Sequence, residues 1–188
     1  MIGGLDFVMR SKVSMDSAKD KEDKCKVLLV VDLQPEFADT DGEYERILKF
    51  VRSNPGFDLV IGTKCLNPDG GPWDRYTDWV DCKDGGKPLE YAPDILMTKV
   101  GYGLDDYSRL DRDCEYYVMG YNTDACVLKI ATDLFDRNFD FKVLIDYCYS
   151  SEGAETHKRG KEVLRDLMPK AILKGDIAFK MSDTLNSE

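Results

Sequence analysis

Residues 26–37 read KVLLVVDLQPEF. Val27 to Val31 form an unbroken apolar run, too short for a helix and closed by Asp32 and Pro35. A continuous run, not an alternating one, predicts a strand covered on both faces, as in a parallel sheet. The same kind of run recurs down the chain. Strands are predicted at Lys26–Asp32, Asp58–Thr63, Ile95–Lys99, Glu115–Gly120 and Lys142–Asp146, with a short one at Ala171–Leu173. Amphipathic helices lie between them. Tyr44, Ile47, Leu48 and Val51 share one helical face; Val127, Ile130, Ala131, Leu134 and Phe135 share a second; Val163, Leu164, Leu167 and Met168 share a third. Pro55 and Gly56 are read as stopping the first helix and Asn138 as closing the second. Strand–helix alternation of this kind predicts an α/β, Rossmann-like three-layer fold: a mostly parallel sheet of about six strands flanked by helices.

Composition narrows the function classes. The chain of 188 residues suits one domain, which can bury roughly 70% of its unfolded surface without a staple. Residues 1–24 read as a leader or tag-like segment and 25–188 as the domain. A net charge of −10, with no dominant basic block, repels phosphate backbones and anionic lipid, so no nucleic-acid or membrane partner is expected. The longest apolar run falls far short of the ~20 residues a bilayer needs. No secretory h-region precedes the domain, and reduced thiols in a cytoplasmic setting are expected. The six cysteines contain no C-x-x-C pair, and a single histidine, His157, rules out any multi-histidine metal site. No G-x-x-x-x-G-K phosphate loop, C-x5-R loop or G-x-S-x-G elbow occurs.

In an open parallel sheet the ligand sits beyond the carboxyl ends of the strands. Three chemical groups stand there: Asp32 after the first strand, Lys99 closing the third, and Cys126 after the fourth. Thr123 reads as an N-cap, which puts Cys126 in a first helical turn. The free amides and dipole there are expected to depress the thiol pKa and to hold an oxyanion. Asp32 reads as the base and Lys99 as the stabiliser of the thiolate. Removing the Asp32 charge is then expected to raise the thiol pKa. Taken singly, each residue has a blander reading: a small buried apolar cysteine, a turn aspartate, a solvated lysine.

These residues carry a resemblance. Val30-Val31-Asp32-Leu33-Gln34-Pro35-Glu36-Phe37 resembles the V-x-D-x-Q-x-x-F motif of the isochorismatase-like cysteine hydrolases, a family that includes nicotinamidases and N-carbamoylsarcosine amidases. Lys99-Val100-Gly101-Tyr102 is similar to its K-x-x-Y motif. Gly120-Tyr121-Asn122-Thr123-Asp124-Ala125-Cys126-Val127 is similar to its G-x-x-T-D-x-C-V motif. Asp146, Ser150, Ser151 and His157 resemble the family's last strand and helix. The resemblance implies an Asp32–Lys99–Cys126 triad that opens a small carboxamide or ureido carbonyl through an acyl-enzyme. It also implies a cis peptide at Tyr121–Asn122, with the Asn122 and Cys126 amides facing the oxyanion, and Phe37, Tyr102 and Asn122 lining the substrate pocket. The family often forms homo-oligomers, so a homo-oligomer is expected.

The chain departs from the family at the nicotinamidase metal site. Thr63-Lys64-Cys65-Leu66-Asn67 stands where T-x-D-x-H is expected, and Asp81-Cys82 where a His-Cys pair is expected. No metal or other cofactor is therefore expected, although Cys65, Asn67 and Asp81 are the residues an unusual site would draw on. His157 reads as packing or capping, not as a base. Trp73, Tyr76, Trp79 and Tyr91 fall between the second and third strands and read as pocket cap, interface or core. The rival readings are a non-catalytic binder of a small molecule or partner protein, and a redox role for Cys126 with Cys148 or Cys82 approaching it.

Overall fold

The computed structural model describes residues 24–53 and 56–175. The leader-like reading of the first residues and the Pro55 helix stop lie outside them, apart from Lys24. Six strands form one sheet: β1 (Lys26–Val31), β2 (Leu59–Cys65), β3 (Ile95–Lys99), β4 (Glu115–Tyr121), β5 (Asp140–Tyr149) and β6 (Ile172–Leu173). Their order is β3-β2-β1-β4-β5-β6, and every neighbouring pair is parallel. Helices α1 (Glu43–Ser53), α2 (Pro72–Tyr76), α3 (Cys126–Asp136) and α4 (Ala154–Leu167) lie in four of the five connections, and the β3–β4 connection holds a short 3-10 turn at Tyr107–Arg109. The result is an α/β three-layer fold. Among the described residues no helix is long and apolar enough to cross a membrane.

The central strand behaves as its apolar run predicts. Val27 to Val31 are all buried, because β1 lies between β2 and β4 and is covered on both faces. The third apolar run is different. Ile95 and Leu96 are largely exposed, because β3 is an edge strand with a partner on one side only. Two further strands outrun their expected ends: β2 continues past Thr63 to Cys65, and β5 past Asp146 to Tyr149. The register of β5 on β4 breaks between Val118 and Gly120, which swings Asp146 outward to accept from the Gly175 amide at 2.7 Å.

The helix faces are partly as predicted. Tyr44, Ile47, Leu48 and Val51 are buried in α1. In α3 the last expected position fails: Phe135 is exposed and Asp133 is buried, held by Tyr107 Oη at 2.7 Å and by Lys129 and Arg137. In α4 the buried stripe runs through Gly160, Leu164 and Met168. Val163 and Leu167 sit one residue, about 100° of helix turn, to its side and face outward. Asn138 adopts φ +57° directly after α3, as a helix-closing asparagine does.

The chain reverses its winding between β1 and β4: β2 and β3 lie to one side, β5 and β6 to the other. This switch point is where an open α/β sheet leaves a crevice. Gly120 lets the two central strands meet there. At φ +113° it takes a conformation that side chains resist, and a Cβ would fall 2.1 Å from the Val31 carbonyl oxygen. Gly120→Ala is expected to destabilise the fold by about 3 kcal/mol. Urea unfolding checks this, as a lower midpoint at unchanged slope.

Candidate active site

Asp32 leaves β1 at φ +45°, a left-handed turn that aspartate tolerates better than most residues. Its amide donates to Thr63 Oγ1 at 3.0 Å, and its Oδ1 accepts from that hydroxyl at 2.6 Å. Its Oδ2 pairs with Lys99 Nζ at 2.7 Å. The same ammonium donates to the Gly101 carbonyl at 2.8 Å and to Cys126 Sγ at 3.3 Å. Asp32 and Lys99 have no exposed side-chain surface, and Cys126 is 4% exposed. The structure thus brings together the three predicted groups, with Lys99 bridging carboxylate and thiol.

Cys126 is the first residue of α3. Thr123 is not its cap. The N-cap position belongs to Ala125, and Thr123 Oγ1 is engaged with His157 Nδ1 at 2.8 Å. The Asn122 carbonyl closes the turn instead, accepting from the Ala125 and Val127 amides at 3.1 and 3.0 Å. The Tyr121–Asn122 peptide is cis. Among the described residues, the Asn122 and Cys126 amides donate to no protein acceptor. The loop is held from behind. Ser150 Oγ donates to Asp124 Oδ1 at 2.6 Å, and the Ser151 amide to Asn122 Oδ1 at 2.8 Å. A Cβ on Gly160 of α4 would lie 2.5 Å from the Asp124 nitrogen, so α4 packs on the loop backbone.

The expected depression of the thiol pKa is corrected. Burial pushes Cys126 well above the ordinary thiol range, the Asp32 charge pushes the same way, and Lys99 only partly offsets them. A helix terminus contributes about 0.3–1 kcal/mol, too little to outweigh the loss of hydration. Burial works against the Lys99 ammonium too, but the Asp32 carboxylate outweighs it and the lysine pKa is raised. At rest these shifts favour an ammonium on Lys99 and a neutral thiol on Cys126.

Above the thiol lies a cavity of about 220 Å³ lined by Phe37, Tyr102 and Asn122, with Trp73, Trp79 and Cys65. Thr77, Ser151 and Glu152 also reach it; Ser151 belongs to the segment that the resemblance picked out, while nothing in the spacing of Thr77 and Glu152 marks them. The side chain of Tyr121 points elsewhere, its hydroxyl donating to Asp39. His157 packs on Tyr149 and supports Thr123, and burial lowers its pKa. Of the four predicted aromatics, Trp73 and Trp79 line the cavity, Tyr91 is core and Tyr76 is exposed. Cys65 shares the cavity with Cys126. Cys82 instead accepts from Gln34 Nε2 at 3.3 Å, and Cys148 donates to the Leu144 carbonyl at 3.3 Å.

No protein-family model matches the chain, and no curated protein matches it in sequence. Solved structures do match its fold. An isochorismatase-like hydrolase from Alkaliphilus metalliredigens superposes with a TM-score of 0.63 at 17% identity, over 86% of this chain and 99% of that one. A nicotinamidase from Bacillus subtilis gives 0.60 at 16%, over 80% and 99%. A pyrazinamidase from Pyrococcus horikoshii, solved in complex with zinc, gives 0.59 at 19%, over 79% and 97%.

Cys65, Asn67 and Asp81, the residues that the resemblance places at a metal site, do not suit a divalent cation. Asn67 spends its amide nitrogen on the Trp79 and Asp81 carbonyls at 3.0 and 3.2 Å, leaving one neutral oxygen. Burial holds the Cys65 thiol up to about 12, and the Lys99 ammonium lies beside it. Among the described residues no three His, Cys, Asp or Glu side chains are grouped so as to hold a metal ion.

Peptide-level iodoacetamide labelling against pH is expected to give Cys126 an apparent pKa above the ~8.5 of a free thiol. Asp32→Asn removes a charge that raises the thiol pKa, so it is expected to speed labelling at pH 7 on the order of tenfold. Slower labelling in that variant would contradict the electrostatic order described above.

Proposed function

We propose, for a chain with the fold of the isochorismatase-like hydrolases, a cysteine amidohydrolase that cleaves a small carboxamide or ureido C–N bond. The observation that carries this reading is the buried Lys99 ammonium, 2.7 Å from Asp32 and 3.3 Å from the Cys126 thiol, at the floor of an open cavity.

The charge arithmetic favours proton transfer within this set. Carboxylate, ammonium and thiol sum to zero. Moving the thiol proton to Asp32 gives carboxylic acid, ammonium and thiolate, which also sum to zero. The transfer therefore creates no net buried charge, and the thiolate forms beside a cation already in place. Cys126 then attacks the carbonyl carbon, whose oxygen becomes an oxyanion facing the Asn122 and Cys126 amides. The Asp32 proton passes to the departing nitrogen, and ammonia or an amine leaves a thioester on Cys126. Water, giving its proton to Asp32, cleaves the thioester to acid and thiol. The net reaction is amide plus water to carboxylic acid plus ammonia or amine. The reading takes no metal, a small-molecule substrate and no nucleic-acid or membrane partner. It carries forward a homo-oligomer in a cytoplasmic setting.

A non-catalytic small-molecule binder is the other reading, and the burial of the Cys126 thiol, only 4% exposed, is the observation that favours it. Ammonia release across a panel of small primary amides and ureides separates the two. Cys126→Ala is expected to lower turnover by at least about a thousandfold with the urea midpoint little changed. Equal turnover in that variant overturns the cysteine mechanism, and no release from any amide favours the binder.

A further inference from the structure

The walls of the cavity are rings. Phe37 and Trp79 stack with centroids 5.7 Å apart and planes 13° apart. Trp73 meets Trp79 edge-on at 5.0 Å and Tyr102 edge-on at 4.8 Å. Among the described residues, the one charged side chain lining this space is Glu152, exposed on the turn between β5 and α4. Lys99 lies beneath the floor, and its charge is already matched by Asp32.

This distribution discriminates by charge. The π face of an aromatic ring carries negative potential and attracts a cation placed over it. A carboxylate at the rim adds to that attraction. An anionic substituent in the same space meets aromatic rings and a carboxylate, and among the described residues no cationic side chain lines the space. A neutral substituent gains the apolar contact alone. The chain's net charge of −10 acts in the same direction at longer range and is screened by salt.

We propose that the cavity selects a positively charged substrate: a small amide whose acyl portion bears an ammonium, quaternary ammonium or cationic heteroaromatic group. The carbonyl sits over Cys126, and the cationic group lies among Trp73, Trp79 and Tyr102 on the Glu152 side. Placing the carbonyl at Cys126 rests on the hydrolase reading; the charge preference of the cavity does not. Trp73, Trp79 and Glu152 are then the specificity-determining residues.

The chain's only two tryptophans are both in this wall, so intrinsic fluorescence reports on it directly. Choline and its uncharged isostere 3,3-dimethylbutan-1-ol are titrated at matched ionic strength into the native protein and into Cys126→Ala. Choline is expected to bind about tenfold more tightly than the isostere in both proteins. Glu152→Gln, an exposed and structurally mild change, is expected to narrow that ratio about threefold. Equal affinity, tighter binding of the neutral isostere, or no saturable response to either overturns the proposal. A retained choline preference with no ammonia released from any amide would sink the hydrolase reading and leave the cation preference standing.

Discussion

A lysine ammonium with no exposed side-chain surface sits at the carboxyl end of β3, and the rest of the site is arranged around that constraint. An unpaired buried charge costs several kcal/mol, so Lys99 must be surrounded by acceptors. It finds the Asp32 carboxylate, the Gly101 carbonyl and the Cys126 sulfur. These come from three different segments, following β1, β3 and β4. Only a parallel sheet brings those carboxyl ends to one edge, and only the order β3-β2-β1-β4 sets them within reach of one side chain. The lysine therefore ties the sheet order to the chemistry.

The surrounding polar groups keep this arrangement in register. Thr63, near the end of β2, holds the Asp32 carboxylate from the side away from Lys99. Gln34 clamps β2 by accepting from the Cys65 amide at 2.6 Å and donating to its carbonyl at 3.2 Å. The Asn67 amide secures the segment that carries Trp79. Hydrogen bonds thus do the positioning around Asn67. Burial also favours the neutral form of the thiol. In the proposed reaction, a buried thiol beside a matched carboxylate and ammonium is quiet at rest and still close to proton transfer.

Several elements were legible in the sequence because their signals are local. The Val27–Val31 run marks a central strand, since a strand buried on both faces has no polar position to alternate with. The apolar spacing in α1 matches its buried face for the same kind of reason. Asp32, Lys99 and Cys126 stand out as chemical groups at strand ends, where α/β sheets place their ligands. Phe37, Tyr102 and Asn122 were visible through the motifs around them. Thr123 shows how a local rule fails: it stands where a cap is expected, but its hydroxyl is taken by His157, distant in sequence.

What the sequence determined by itself was the set of elements, the fold class and the identity of the three central groups, because periodicity and residue chemistry survive without coordinates. What only the tertiary structure decided was the burial that raises the thiol pKa, the engagement of the Asn67 amide by two backbone carbonyls, and the charge of the cavity wall. Each depends on desolvation and on distances between segments remote in the chain, and neither quantity is written in a local pattern.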